Sequence, residues 1–181
     1  MADISLEKTL PSNLEAERAI LGAILLDDKA VLTIFETLKA QDFYLESHRR
    51  IFEKMMHLTN ESRPIDLVTL KDALQRASEL ESVGGAAYLA SLTDGLPRAI
   101  NIEFYAQIVK EKSTLRRLIQ ASNEMMSRSY QDEEPAQAVL QFAEKAIFDI
   151  AGQHFHTGFT PISPIVSDVF RQIEELSNKK A

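Results

Sequence analysis

A catalytic or metal site would have to be assembled from histidine, carboxylate, glycine, lysine and hydroxyl side chains, and their spacing here assembles none. The four histidines are His48, His57, His154 and His156. His154 and His156 could share a metal only if a third and fourth ligand converged on a segment with no cysteine and no nearby carboxylate cluster. His48 reads as a helix-surface or partly packed residue. The pairs Asp27-Asp28 and Glu174-Glu175 read as helix caps or solvated faces, because no nucleophile or pocket accompanies them. A phosphate loop needs clustered glycines followed by Lys and Ser or Thr; the nearest text, Gly152 to Gly158-Phe159-Thr160, is one residue too long and lacks the Lys. No GxGxxG, HExxH, EF-hand or GxSxG spacing occurs. The expectation is a chain with no catalytic, cofactor-binding or metal residues of its own.

The composition points to helices. Among 181 residues, Gly and Pro number six each, too few to punctuate a many-stranded sheet protein, and 45% hydrophobic content allows a real core. The absence of cysteine removes disulfides and thiolate chemistry and suits a reducing cytoplasm. The apolar run Ala19 to Leu26 is too short to span a bilayer, so no membrane partner is expected. With 20 Lys and Arg against 27 Asp and Glu, the net charge is -7 and the pI about 5.2, the wrong sign for tight sequence-independent DNA binding. The basic doublets Arg49-Arg50, Arg116-Arg117 and Lys179-Lys180 read as solvated helix faces or frayed ends.

Along the chain, residues 1-10 form an aperiodic flexible arm and 11-97 a globular helical unit. Ser12 with Glu15 makes a capping box for a first helix whose inner side carries Leu14, Ala19, Ile20, Ala23, Ile24 and Leu26. Asp27 or Asp28 caps a second helix through Leu38. An aromatic turn leads into a third helix with Ile51, Phe52, Met55, Met56 and Leu58 inside, and Asp66 caps a fourth carrying Leu67, Leu70 and Leu74. Gly84-Gly85 allows close backbone approach before a short helix that Gly95-Leu96-Pro97 ends.

Residues 98-151 then read as an antiparallel helical hairpin. Its first arm runs from Asn101 for roughly 30 residues, about 45 Å, and Asp132 caps a second arm from about Glu133 to Ala151. That second arm carries two stripes, Leu140, Ala143, Ile147 and Ile150 beside Val139, Phe142 and Ala146. The extra width calls either for a second copy of the chain or for packing back on the globular unit. A linker loop at 152-163 precedes an amphipathic helix at 164-177, started by Ser163-Pro164 and lined by Ile165, Val166, Val169, Phe170, Ile173 and Leu176. An apolar face on a tether is the form of a segment that lies in a groove on another domain or subunit. The fold class expected is all-α.

Five ordered segments, LPSNLEAERAILGAILLD, DFYLESHRRIFEKM, PIDLVTLKDAL, LESVGGAAYLASL and NIEFYAQIVKEKSTLRRLI, resemble the N-terminal domain of the DnaB-type bacterial replicative helicase, over about Leu10 to Ala151. The helix from Pro161 to Leu176 falls where that family has its linker helix. The resemblance implies a homo-oligomer, from dimers up to a ring hexamer whose N-terminal domains form a trimer-of-dimers collar. It also implies docking of the primase's C-terminal helicase-binding domain on that collar, and of the linker helix on a neighbouring ATPase domain. ATP and magnesium would belong to an ATPase domain that this chain does not contain, and the parent would be an ATP-dependent 5′ to 3′ DNA helicase.

For primase docking, the resemblance and the helical reading together point to Glu15, Tyr88, Ile119, Met125 and Met126. Each also has a plainer reading: Ile119 and the methionines as hairpin core, Tyr88 as core with its hydroxyl at the surface, Glu15 as a capping-box partner. Phe104, Ile108, Leu115, Leu118, Val139, Leu140, Phe142 and Ile147 are the candidates for the hairpin seam and self-association. The alternative function is a small helical DNA-binding regulator using PIDLVTLKDALQ as a recognition helix, although that segment offers only Lys71 and Arg76.

Overall fold

The computed structural model describes residues 9-96 and 101-152, without the side chains of 28-30. Among these residues every regular element is a helix: α1 (Leu14–Leu26), α2 (Asp28–Thr37), α3 (Glu46–Asn60), α4 (Leu67–Arg76), α5 (Gly85–Ser91), α6 (Ile102–Gln131) and α7 (Ala136–Gly152), with single 3-10 turns at Ala40–Asp42 and Glu81–Val83. The expectations for residues 1-8, for His154 and His156, and for the linker helix lie outside the described residues. The chain divides into two compact units, Met1–Glu134 and Pro135–Ala181.

In the first unit α1 is enclosed by α2, α3 and α6. Ile20, Leu21 and Ile24 from α1 meet Ile34, Leu38, Phe43, Ile51, Phe52, Met55 and Leu58 in one core, closed from the other side by Leu70 and Leu74. Phe52 is its centre, edge-on to Phe35 with centroids 5.1 Å apart and tilted against Phe43 at 4.8 Å. Leu14 and Leu26, expected inside, are exposed. They stand at the two ends of α1, where the helix has run past its neighbours.

The caps explain why the helices start and stop where they do. Asn13, not Ser12, caps α1: its side-chain oxygen accepts the Ala16 amide at 3.0 Å, so Glu15 has no capping-box role. Asp66 caps α4 as expected, accepting from the Val68 and Thr69 amides at 2.8 Å each, and these bonds, Thr69's foremost, hold its carboxyl below the ordinary value. Asn101 caps α6 through the Phe104 amide, and α6 runs for 30 residues. Asp132 does not cap the second arm. It takes a left-handed conformation, φ 52°, at the C-terminus of α6, and α7 begins three residues beyond the expected start, directly after Pro135. Proline loses nothing at that place, where the helix has no use for its missing N–H.

Gly22 permits close approach between two helices, and a β-carbon at Gly84 would likewise lie only 2.8 Å from Tyr88 Cβ. A β-carbon at Gly22 would lie 2.1 Å from the Leu92 carbonyl oxygen and 2.5 Å from Leu96 Cδ1, so α1 can meet the end of α5 only without a side chain. Gly84 serves a second need as well, a left-handed φ of 104° at the start of α5. Gly22→Ala should therefore destabilise the protein by about 2 kcal/mol, the scale of a forced overpacking. A urea midpoint followed by circular dichroism that matched the parent's would refute this packing account.

Candidate docking surface

Two buried polar clusters set the geometry of the first unit. In one, Asp42 is completely buried in the 3-10 turn between α2 and α3. Its carboxylate accepts hydrogen bonds from the Lys39 amide at 2.9 Å, Lys110 Nζ at 2.8 Å, Ser113 Oγ at 2.7 Å and the Arg117 guanidinium at 2.7 Å. Three of those four donors lie on α6. Burial alone would push Asp42 up, but the bonds from Lys110, Lys39 and Ser113 outweigh it, and the carboxyl sits below its ordinary value. Arg116 completes the clamp by donating to the carbonyls of Asp42 and Pro11 while lying over the Tyr44 ring, 5.6 Å from its centroid. Burial pulls the Arg116 guanidinium down, with Glu17 and Asp42 opposing.

In the other cluster, Glu17 of α1 accepts from the Tyr44 amide at 2.6 Å and from His48 Nδ1 at 2.6 Å. A carboxylate only accepts, so Nδ1 carries the hydrogen, and Nε2 of a neutral His48 accepts from the Tyr88 hydroxyl at 2.6 Å. The chain of bonds ties α1, α3 and α5 together. Its order mimics a proton relay, yet burial raises the Tyr88 hydroxyl above its ordinary value, the wrong direction for a nucleophile. What the cluster can do is hold the half-buried Tyr88 ring, stacked at 11° to His48, in one orientation at the surface.

The clamp anchors the first half of α6, whose buried residues are Ala106, Val109, Ser113 and Arg116. Beyond Arg116 no residue of α6 is buried. Phe104, Leu115 and Met126 follow one another at steps of eleven residues, and so do Ile108, Ile119 and Tyr130. Eleven residues make three turns to within about 20°, so each set forms a line along one side of a straight helix. Except for Ile108, which packs partly against the core, these six side chains are exposed, from 37% at Ile119 to 84% at Tyr130. The structure thus brings Phe104, Leu115, Ile119 and Met126 together on one strip of α6, with Met125 and Leu118 beside it and half-buried. In the second unit, α7 has no buried residue: Leu140 and Ile147 are exposed, as is Phe148, and Val139 and Phe142 are half-covered. Glu15 is exposed in the first turn of α1, two residues before the inward-facing Glu17.

Several readings of the sequence are corrected here. His48 is wholly buried, not a helix-surface residue, because two polar partners satisfy both ring nitrogens. Arg116 and Arg117 are not a solvated face; they form the clamp. Glu17, Asp42 and Ser113 went unnoticed. The phase of the apolar pattern carried a signal for three of these positions: Glu17 precedes Ile20, Leu21 and Ile24 by three, four and seven residues, His48 stands likewise before Ile51, Phe52 and Met55, and Arg116 continues Ala106, Val109 and Ser113. In α4, Arg76 is paired with Asp72 at 3.0 Å. Among the described residues no group of three or more His, Cys, Asp or Glu could hold a metal, and no helix is long and apolar enough to cross a membrane.

The first unit thus offers an exposed apolar strip on a clamped helix and one surface tyrosine held by a buried polar chain. Residues 9–111 match the family described as DnaB-like helicase N terminal domain, and the chain belongs to that family. It is 38% identical over 180 residues to the replicative DNA helicase DnaC of Bacillus subtilis, a match covering 99% of this chain and 40% of that protein. To the replicative DNA helicase DnaB of Haemophilus influenzae it is 44% identical over 142 residues, covering 78% and 30%. The match therefore spans between 30% and 40% of the length of these curated relatives. Its fold matches the crystal structure of the N-terminal domain of DnaB helicase from Mycobacterium tuberculosis with a TM-score of 0.74 at 34% identity, covering 78% of this chain and 99% of that one. A second structure, of a DnaB-like replicative helicase and its interactions with primase, shares the fold at 22% identity with a TM-score of 0.65, covering 90% of this chain and 36% of that one.

The clamp makes a prediction with a defined sign. Asp42 is held below 3.8 in the folded state, so its contribution is complete above that value and is lost as pH falls through the folded value. Asp42→Asn leaves Lys110, Arg116 and Arg117 facing one another and should cost about 3 kcal/mol near neutral pH. The difference in urea midpoint between parent and variant should narrow below pH 3.8; a constant difference across that range would contradict the assignment.

Proposed function

We propose that this chain is the self-associating, primase-docking collar module of a hexameric bacterial replicative helicase acting in DNA replication. The observation that carries the reading is the exposed apolar strip of α6, which continues through Leu115, Ile119, Met126 and Tyr130 past the last buried residue of that helix. Isolated apolar residues are normal on a surface, but a line of them along a rigid helix marks a contact. In the proposed collar α6 and α7 pair as an antiparallel hairpin, and their outer faces, with Phe104, Leu140, Phe142 and Ile147, meet another copy. The membership in the DnaB-like family supports this, as does the existence of a relative studied with primase. Primase would approach Glu15, Tyr88, Ile119, Met125 and Met126, with Tyr88 held in place by His48. The helix at 164-177 would lie on a neighbouring ATPase domain. In the whole protein that domain would bind ATP and magnesium and drive unwinding in the cytoplasm.

Light scattering over a concentration series should show dimers or larger assemblies. Leu115→Asp combined with Ile119→Asp should weaken association by about tenfold or more, since burying one such side chain is worth about 1.5–3 kcal/mol. A C-terminal primase fragment should bind the parent and bind Tyr88→Ala more weakly. A monomer at micromolar concentration that ignores primase would end this reading.

A further inference from the structure

We propose that the groove between α4 and α5 is a second docking site, distinct from the α6 strip and from Tyr88, and that its occupant is an acidic amphipathic helix of another protein. Two hollows lie end to end there. One, of about 590 Å³, is lined by Lys71, Gln75, Ser78, Leu80, Glu81 and Ala86. The other, of about 240 Å³, is lined by Leu67, Val68, Lys71, Ala86, Leu89 and Ala90. Lys71 and Ala86 belong to both, so the two are one furrow along α4.

The furrow has the form that receives a helix. One face of α4, at positions 67, 71 and 75, with Ser78 in the turn after it, and one face of α5, at 86, 89 and 90, make its walls, while Leu70 and Leu74 hold the far side of α4 in the core. The small Ala86 and Ala90 leave the width that a partner's ridge of side chains needs. Its length is that of α4, ten residues or about 15 Å, enough for about three helical turns. Among the described residues no sheet edge is present to receive an extended peptide. Val68 stands 77% exposed at the narrow end, more than any other exposed large aliphatic side chain among the described residues of α1 to α5. That end asks for apolar side chains at i and i+4.

Charge selects the occupant further. Around the furrow the cations are engaged: Lys54 with Glu79, Arg63 and Arg76 with Asp72. Lys71, at the junction of the two hollows, makes no ion pair among the described residues. In a chain of net charge -7, a lone cation between apolar walls complements a carboxylate. Glu81 at the wide end repels a second one, so the occupant's acid lies over Lys71 and neutral polar groups lie toward Gln75, Ser78 and Glu81. Tyr88 is on the other side of α5, bonded to His48, and the two surfaces can be occupied independently.

The test uses the full chain and a phage-displayed library of 14-residue helical peptides, with selected peptides then titrated by fluorescence anisotropy. Enrichment of aliphatic residues at i and i+4 with Asp or Glu between them is the expected result. Val68→Asp and Lys71→Glu lie on the surface and should leave the circular dichroism spectrum unchanged. Val68→Asp should weaken binding about tenfold, and Lys71→Glu about three- to fivefold. Exchanging the peptide's acid for Lys should restore binding to Lys71→Glu. The proposal is overturned by no enrichment, by basic peptides, by selected peptides indifferent to Val68→Asp, or by a charge exchange that rescues nothing. It is also overturned if the two substitutions change the association state of the chain alone, which would make the furrow a contact between copies.

Discussion

A carboxylate with no access to water cannot stay charged unless the protein replaces the water, and around Asp42 it does so completely. The oxygens receive one backbone amide, one hydroxyl and two cationic side chains. Because three of these donors sit on α6 within eight residues of one another, the long helix has only one register on the globular unit in which the buried charge is satisfied. Sliding α6 by one residue would move Lys110, Ser113 and Arg117 round the helix and strand the charge. Hydrophobic packing of Ala106 and Val109 supplies attraction, but it tolerates small displacements that the polar clamp does not.

From that register it follows that no residue of α6 beyond Arg116 is buried. The strip formed by Leu115, Ile119, Met126 and Tyr130 exists because the helix is long, straight and held at one end only within the first unit. The docking role proposed for it needs rigidity more than chemistry. The Glu17–His48–Tyr88 chain contributes the same quality on a smaller scale, fixing one aromatic ring by satisfying both nitrogens of a buried imidazole. The two clusters share their neighbourhood: Tyr44 gives its amide to Glu17 and its ring to Arg116, which also bonds the backbone of Asp42. Through Tyr44 and Arg116 they form one connected polar neighbourhood beside the apolar core.

Much of the secondary structure could be read directly. Asp66 caps α4 because its side chain reaches amides two and three residues away, and α6 runs uninterrupted because nothing between Ile102 and Gln131 breaks a helix. Reading failed at ends where two residues of similar chemistry competed. Asn13 and Ser12 can both cap, and the one nearer the first helical turn prevailed. Asp132 has the chemistry of an N-cap, but in a left-handed conformation it closes the helix before it instead. The role of Gly22 is not legible in the sequence, since its close neighbour, Leu92, is seventy residues distant in the chain.

Helices and their inner faces were determined by the sequence alone, because they depend on residues three or four apart. Which polar side chains went inside was decided only by tertiary structure. Burying Glu17 is possible because His48, 31 residues away, reaches it, and burying Asp42 because Ser113, 71 residues away, does. A buried charge survives on the strength of its partners, and partners that distant meet only once the chain has folded.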